Sequence, residues 1–358
     1  MRVPISAVPY VRLAKRLFRG PGSLQDAAFQ QDILCPQQKA TIRPPVCLPG
    51  QLDKVITQKY DPRGRKTREE VIAEATSTSV TYAPTIAYHV RDAVLIDGRI
   101  YAGQFKQPIA DSSLFVSSSR APRNIKACAL ASSYLGTKFF GHWLADDCTR
   151  YLLAKTFGTP FCVRMPPYPH LQQYESCFDQ DWTPTDRAYI DHAVVFQDFS
   201  QNSLKQERYR DLRERIKTHF HPSGRGTHVY LQRGKTGALR TIQNEQEIID
   251  ALSRQGFVVL DVGTDSLSHI IQTLLNAKLV VSLEGSHVAH CIYTIPEDSG
   301  LLILQPPNQF SAVHREWSEC LGIRFGFVVG SIERDGYHFS PADILRSIDL
   351  ILNKMSNG

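Results

Sequence analysis

His228-Val-Tyr-Leu-Gln-Arg233, Phe257-Val-Val-Leu-Asp261 and Lys278-Leu-Val-Val-Ser-Leu283 are three short runs of β-branched and aliphatic residues. The third runs directly into Glu284-Gly-Ser-His-Val-Ala-His290 and on to Pro296. A helical segment separates each pair, so the order is strand, helix, strand, helix, strand, tight turn, helix. Alternation of this kind predicts a parallel sheet covered by helices. Asn244 precedes the first helix with Glu247 three residues on, the spacing of a capping box. Leu267, Ile270, Ile271, Leu274 and Leu275 mark one buried face of the second helix. Ligands of such sheets bind at the carboxyl ends of the strands. Here those ends are Arg233, Asp261 and Glu284-Gly-Ser-His287.

Working outward, 358 residues suffice for two domains. Hydrophobic content of 42% and charged content of 21% belong to a globular chain with a sizeable core. A net charge of +6 suits anionic ligands or a membrane surface and gives no argument for nucleic acid. There is no run of 18 apolar residues, and the N-terminus lacks the apolar core of a signal peptide. Eight cysteines are scattered without metal-ligand spacing, which fits reduced thiols in the cytoplasm.

Residues 1–75 read as an irregular, basic N-terminal extension. Within it, residues 1–20 have the pattern of a basic amphipathic helix (Val8, Val11, Leu13 and Leu17 among cations), and the choice lies between a frayed terminus and peripheral contact with an anionic membrane. Residues 36–72, rich in proline and charge, read as irregular surface. Residues 76–220 read as a first α/β domain. Asp97-Gly98 between apolar runs signals a two-residue hairpin, and Ile125–Leu130, Phe161–Arg164 and Ala193–Phe196 are strand signals. A charged helix from Ser203 to Phe220 ends at His221-Pro-Ser-Gly-Arg-Gly226, the predicted boundary. Residues 221–336 form the second α/β domain, with further strands at Leu301–Leu304 and Phe325–Val329. Residues 337–358 hold a final helix begun by Ser340-Pro341. The expected architecture is two α/β domains facing each other across a cleft, with the C-terminal helix packing back.

Gly285 lets a ligand approach the backbone, and amides 285–288 at a helix start suit an anion. An ordinary strand-to-helix turn has the same form. Arg233, Lys235 and Arg240 set three cations at that edge, able to hold a diphosphate, although such a cluster is usually a solvated basic loop. His142, Asp146 and Asp147 gather in Gly141-His-Trp-Leu-Ala-Asp146-Asp147. One of them could serve as a general base, or the aspartates could favour a helix dipole. Asp179-Gln-Asp181 has the D-x-D form of some metal-dependent sugar transferases, but no hydrophobic strand precedes it. No metal site is read, and there is no G-x-x-x-x-G-K-[ST], G-x-S-x-G or G-x-G-x-x-G motif.

Three segments together resemble glycosyltransferase family 61. Gly141-His-Trp-Leu-Ala-Asp146 is similar to the family's Gly-His-Trp-Leu-x-Asp. Tyr230-Leu-Gln-Arg233, followed by Arg240-Thr-Ile-Gln-Asn-Glu245, is similar to Tyr-Leu-Ser-Arg then Arg-x-Ile-x-Asn-Glu. Ala277 to Pro296 is similar to a strand followed by His-Gly-Ala and ending at proline, but Glu284-Gly285-Ser286 stands where the family has His-Gly-Ala. His269-Ile270 stands where it has Glu-Gln, and an aromatic replaces an asparagine near the first motif. These departures imply a divergent, bacterial-type branch.

The resemblance implies a GT-B-like enzyme of two Rossmann-like α/β domains. It would take a nucleotide-sugar donor, plausibly a UDP-sugar, and a glycan acceptor, and work by inversion without a cofactor or metal. Asp146, with His142 as second choice, would take the proton of the acceptor hydroxyl. Arg233, Lys235 or Arg240, with the amides at Gly285, Ser286 and His287, would stabilise the leaving diphosphate. Asp261 or Glu284 would bind ribose or sugar hydroxyls, and His287 and His290 are further candidate contacts. The setting would be cell-surface polysaccharide synthesis, in the cytoplasm or at the inner face of the membrane. Two other readings stand beside this one. One is a catalytically degenerate protein of the same fold that binds nucleotide-sugar or acts as a scaffold. The other is a metal-dependent transferase using Asp179 and Asp181.

Overall fold

Asp97 and Gly98 both take positive φ, 50° and 67°. This is the geometry that turns a chain back on itself in two residues. It joins strand Thr85–Ile96 to strand Arg99–Ala102, with Ile96 opposite Arg99. The computed structural model describes residues 4–11, 14, 22–56, 66–111, 121–223, 226–234 and 240–356. The chain divides into two units, Met1–Gln38 with Tyr82–Leu212, and Lys39–Thr81 with Arg213–Gly358.

The strands of the first unit are β1 (Ala28–Cys35), β2 (Thr85–Ile96), β3 (Arg99–Ala102), β4 (Phe105–Pro108), β5 (Arg123–Leu130), β6 (Pro160–Phe161) and β7 (Ala188–Gln197). They lie in the order β4-β3-β2-β7-β5-β6, with β1 also paired to β2. Pairings among β1, β2, β3, β4 and β7 are antiparallel, whereas β5 runs parallel to β6 and β7. The expectation of two Rossmann-like domains is corrected here, because among the described residues four of the six pairings in this sheet are antiparallel, two of them tight hairpins and two between strands distant in sequence. Val90, Leu95, Ile100, Leu130, Ile190 and Val195 form its core. Each such fully buried side chain contributes about 1.5–3 kcal/mol. Ile5 and Val8 pack on Val94, Ile96 and Tyr101. Of the other apolar members of the proposed amphipathic helix, Val11 is exposed, and Leu13 and Leu17 lie outside the described residues.

The second unit holds β8 (Thr227–Gln232), β9 (Val258–Asp261), β10 (Ala277–Leu283), β11 (Gly300–Gln305) and β12 (Arg324–Val329). All are parallel, in the order β9-β8-β10-β11-β12. The first connection leads to one side of β8 and the second crosses back to the other side. The order therefore reverses between β8 and β10, which opens a crevice at their carboxyl ends. Helix Glu245–Arg254 buries Ile248 and Leu252, and helix Pro341–Ser356 buries Ile344, Ile348 and Ile351, in one core with Tyr230, Val281 and Leu302. The second predicted helix spans Leu267–Leu274 and buries Leu267, Ile270, Ile271 and Leu274 on its apolar face. Ser340 Oγ accepts from Asp343 N at 3.2 Å, capping the last helix as its spacing predicts.

Four sequence expectations are corrected. Residues 39–81 pack with the C-terminal unit, not the N-terminal one. The buried Arg315 guanidinium gathers them by donating to the carbonyls of Arg43, Glu74, Ala75 and Ser77, while Val46 pairs with Gly326. Nor are residues 36–72 irregular throughout, since a helix runs from Arg68 to Thr76 behind a Thr67–Glu70 capping box. The division between units falls inside helix Ser203–His219 and not at 221–226. Asn244 precedes its helix without capping it, because its side chain pairs with both backbone groups of Phe339.

All eight cysteines are free thiols. Among the described residues no helix is long and apolar enough to cross a membrane.

Candidate functional site

Two polar clusters contain the residues singled out by sequence, one in each unit.

In the C-terminal unit, Arg233 follows β8, and Glu284 and Gly285 follow β10, so they meet at the carboxyl ends that flank the reversal of strand order. Arg233 Nη1 donates to the Glu284 carbonyl at 3.1 Å, and Arg240 Nη1 donates to the same oxygen at 2.9 Å. Arg240 also pairs with the Glu284 carboxylate, and its Nε donates to Gln309 Oε1 at 2.7 Å. His314 Nε2 lies 3.7 Å from the other carboxylate oxygen. Burial pushes the Glu284 carboxyl up, but His314, Arg240 and Arg233 outweigh it and hold the group below its ordinary value. Burial and Arg240 lower the Arg233 guanidinium, which as an arginine stays charged. Two guanidinium groups thus meet at Glu284, Arg240 on its carboxylate and both on its carbonyl, leaving a net positive charge at the crevice.

Gly285 leaves room for the Arg233 guanidinium. A Cβ there would run into Arg233 Nη1 and lie 3.2 Å from its Cζ. The segment after it, Ser286–Tyr293, is a 3₁₀ helix and not the expected α-helix. The amide of Val288 is already bonded to the Gly285 carbonyl. His287 is buried, with Nε2 2.8 Å from Ser282 Oγ. His290 is buried one turn on, whereas Ser286 is partly exposed. Asp261 Oδ1 accepts from Gly263 N at 2.8 Å, closing the turn after β9. Lys235 lies outside the described residues.

In the N-terminal unit, Phe140–His142 leads into a π-helical turn at Trp143–Asp147 and then helix Cys148–Phe157. Cys148 N bonds to Trp143 O, five residues back. Such wide turns are frequent at functional sites. His142 and Asp146 fall at its start and within it. His142 Nδ1 lies 2.7 Å from Asp146 Oδ2, and Lys205 Nζ pairs with Oδ1. The Asp146 side chain is 7% exposed and that of Lys205 0%, whereas the His142 side chain is 29% exposed. Burial would raise the Asp146 carboxyl, but Lys205 and His142 together hold it far below the ordinary carboxylate range.

Asp147 points elsewhere. It takes hydrogen bonds from Ser133 N and Oγ at 2.9 and 2.6 Å and from Arg150 at 2.7 Å. Beyond it, Arg208 grips Asp198 through two bonds of 2.7 and 2.8 Å, fully buried. Of the D-x-D pair, Asp179 is exposed near Lys155, and Asp181 Oδ1 accepts from Thr183 N and Oγ1 in a local turn. Among the described residues no group of three or more His, Cys, Asp or Glu side chains is arranged to hold a metal.

Sequence reasoning missed Lys205, Ser282, Gln309 and His314. Lys205 sits in a helix that reads as a solvated charged face, and nothing local marks it as buried. His314 had a usable signal, because it follows the carboxyl end of a predicted strand.

Residues 140–302 match the family described as Glycosyltransferase 61. All three sequence motifs fall inside that span, so the resemblance to glycosyltransferase family 61 is borne out over these residues. No curated protein matches the chain. Among solved structures, two variants of the flavo-diiron protein of Thermotoga maritima overlay at 10% and 11% identity and a TM-score of 0.28. They cover 59% and 76% of this chain and 52% and 64% of theirs. The flavodiiron protein of Giardia intestinalis overlays at 8% identity and a TM-score of 0.24, covering 61% of this chain and 52% of its own. Likeness at that level bears on neither fold nor function.

Proposed function

We propose that the chain is an inverting glycosyltransferase that moves a sugar from a nucleoside diphosphate sugar, with UDP as the first candidate, to a hydroxyl of a glycan acceptor. The observation that carries this reading is the convergence of Arg233, Arg240 and Gly285 where the parallel sheet reverses its strand order. A cationic, side-chain-free edge at that position suits a diphosphate. The family match supports the reaction class.

In the proposed reaction His142, not Asp146, is the base. Asp146 is buried, with His142 on one carboxylate oxygen and Lys205 on the other, whereas the His142 side chain is 29% exposed and so is the more accessible to an acceptor. As an ionised carboxylate it accepts the Nδ1 proton of His142, which leaves Nε2 to take the proton of the acceptor hydroxyl. The acceptor oxygen forms its bond to the anomeric carbon as the bond from that carbon to the diphosphate oxygen breaks on the opposite face. The electron pair leaves with the diphosphate. Arg233 and Arg240 stabilise the charge that develops there, the task a metal ion performs elsewhere, so the reaction proceeds without one. Glu284 holds Arg240 in place. The product serves cell-surface polysaccharide synthesis on the cytoplasmic side, and the basic N-terminus touches the membrane.

A second reading has one observation behind it. Glu284 stands on Arg240 and cancels part of the charge a leaving diphosphate needs, which suits a protein that binds nucleotide-sugar without turning it over.

The test is calorimetric titration with UDP, GDP, CDP and ADP in the presence of chelator. Selective binding of one diphosphate, lost in Arg233→Ala, is the expected result. At 100 times its dissociation constant that ligand raises stability by about 2.7 kcal/mol. No binding of any of the four, with or without manganese, sinks the diphosphate site. Binding without transfer or donor hydrolysis, across a broad acceptor panel, selects the second reading.

A further inference from the structure

Nδ1 of His287 is buried and has no hydrogen-bond partner among the described residues. An orphaned buried nitrogen calls for an explanation, and the other side of the ring supplies the first half of one. Nε2 lies 2.8 Å from Ser282 Oγ, which lies 2.8 Å from the Leu231 carbonyl. A carbonyl only accepts, and a serine hydroxyl has one proton. The hydroxyl therefore donates to Leu231 and accepts from His287 Nε2–H. The reverse assignment would set two acceptors against each other at 2.8 Å and bury an N–H on Nδ1 with nothing to receive it. The neutral ring thus carries its proton on Nε2 and presents Nδ1 as a bare acceptor. Burial, followed by Arg233, His290, His314 and Arg240, keeps the ring from gaining a second proton.

The direction of that acceptor supplies the second half. A Cβ built on Gly285 would lie 3.0 Å from His287 Nδ1 and would also run into Arg233 Nη1. The bare acceptor and the guanidinium therefore both lie beside the side-chain-free backbone of Gly285, with Nδ1 buried beneath it. A deprotonated phosphate oxygen satisfies the guanidinium but is repelled by a lone pair. A hydroxyl satisfies the lone pair.

We propose that His287 Nδ1 accepts a hydrogen bond from a hydroxyl of the ligand whose anionic oxygens Arg233 binds, so that the site selects a phosphate ester carrying a neighbouring sugar or ribose hydroxyl over a bare diphosphate. This rests on the diphosphate reading above. It adds a residue that discriminates by a neutral hydrogen bond, where the arginines discriminate only by charge. Leaving such an acceptor unmatched is what makes a polar pocket reject ligands that lack the donor.

Two variants separate the roles of the two ring nitrogens. In His287→Gln the amide reaches the position of Nε2 and keeps a donor for Ser282 but removes the acceptor at Nδ1. In His287→Asn the carbonyl reaches the position of Nδ1 and keeps the acceptor but abandons Ser282. Each is titrated by calorimetry near pH 8, where the terminal phosphate of a nucleoside diphosphate is largely deprotonated (second pKa of about 6). The ligands are inorganic pyrophosphate, the nucleoside diphosphate that binds the wild type, its 2′-deoxy form and its hexose ester.

His287→Gln is expected to weaken a hydroxyl-bearing ligand by about tenfold, the worth of one hydrogen bond, and to leave pyrophosphate unchanged. His287→Asn is expected to stay close to wild type. If the loss in His287→Gln disappears with the 2′-deoxy ligand, the hydroxyl is on the ribose. If it appears only with the hexose ester, the hydroxyl is on the sugar. Equal losses for pyrophosphate and ester, or a larger loss in Asn than in Gln, would overturn the proposal in favour of a packing role. If no diphosphate binds the wild type, the diphosphate reading fails and the ligand proposal with it. The tautomer is then still decided by the ¹⁵N shifts of the ring, where a proton on Nδ1 would refute the bare acceptor.

Discussion

Nδ1 of His142 lies 2.7 Å from Oδ2 of Asp146, and Lys205 closes the other side of the same carboxylate. One buried carboxylate therefore joins a part-exposed imidazole to a fully enclosed ammonium. The arrangement keeps Asp146 ionised, and an ionised Asp146 fixes which ring nitrogen of His142 is bare.

His142→Gln is expected to lower turnover by about a hundredfold or more, the usual worth of a general base, while calorimetric binding of the donor stays at the wild-type value. Asp146→Asn should also lose turnover, by at least about tenfold on the same grounds, because an amide can donate to Nδ1 and drive the proton to Nε2. Steady-state rates for the two variants, set beside their donor dissociation constants, decide the matter. Wild-type turnover in His142→Gln would remove it as the base.

Lys205→Met should destabilise the chain by about 3 kcal/mol, since it strands a buried carboxylate without its cation. Double replacement with Asp146→Asn should recover part of that loss, because no charge is then left unpaired. Urea unfolding of the single and double variants measures both. Additive losses in the double variant would mean that the pair contributes nothing jointly.

Gly285→Ala places a methyl group on the Arg233 guanidinium. Binding of the diphosphate should fall by about tenfold or more, on the scale of a displaced charged hydrogen bond, with a lower melting temperature. Ser286→Ala, on the neighbouring partly exposed residue, is the control. Undiminished binding in Gly285→Ala would show that the ligand does not approach this stretch of backbone.

Acid should unfold the protein through a small set of buried carboxylates. Asp146, Asp198 and Glu284 are all held below their ordinary values, in each case because neighbouring cations outweigh burial. A depressed folded-state value means that the unfolded chain takes up the proton first. The stabilisation is therefore complete above the ordinary values of 3.8 for aspartate and 4.5 for glutamate, and it is lost as the pH falls below them. Asp198→Asn, which leaves Arg208 buried and unpaired, should cost about 3 kcal/mol at pH 7 and progressively less below pH 4. Denaturant midpoints across that range test the sign, and a constant difference between variant and wild type would contradict it.

The C-terminal sheet was legible because its strands are local objects. Three apolar runs with helical intervals between them leave few ways to fold, and residues at the carboxyl ends follow from strand direction alone. Arg233, Glu284 and Gly285 were found in that way. Lys205 was not, because burial of a lysine depends on which distant carboxylate meets it, and Asp146 is 59 residues away in sequence. Asn244 does not cap its helix for the same reason, since its side chain is taken up by the backbone of Phe339, 95 residues on.

The sequence alone therefore determined the element order of the C-terminal unit, its parallel sheet and the short list of polar residues, since each rests on periodicity or spacing over a few residues, and its motifs carried the resemblance to glycosyltransferase family 61. Only the tertiary structure decided that residues 39–81 belong with the C-terminal unit, that most of the first sheet is antiparallel, that Asp146 is sealed while His142 is reachable, and that His287 is left with a bare nitrogen. Those outcomes depend on which groups meet across long stretches of chain. Burial and pairing are properties of the assembled core, and local sequence does not encode them.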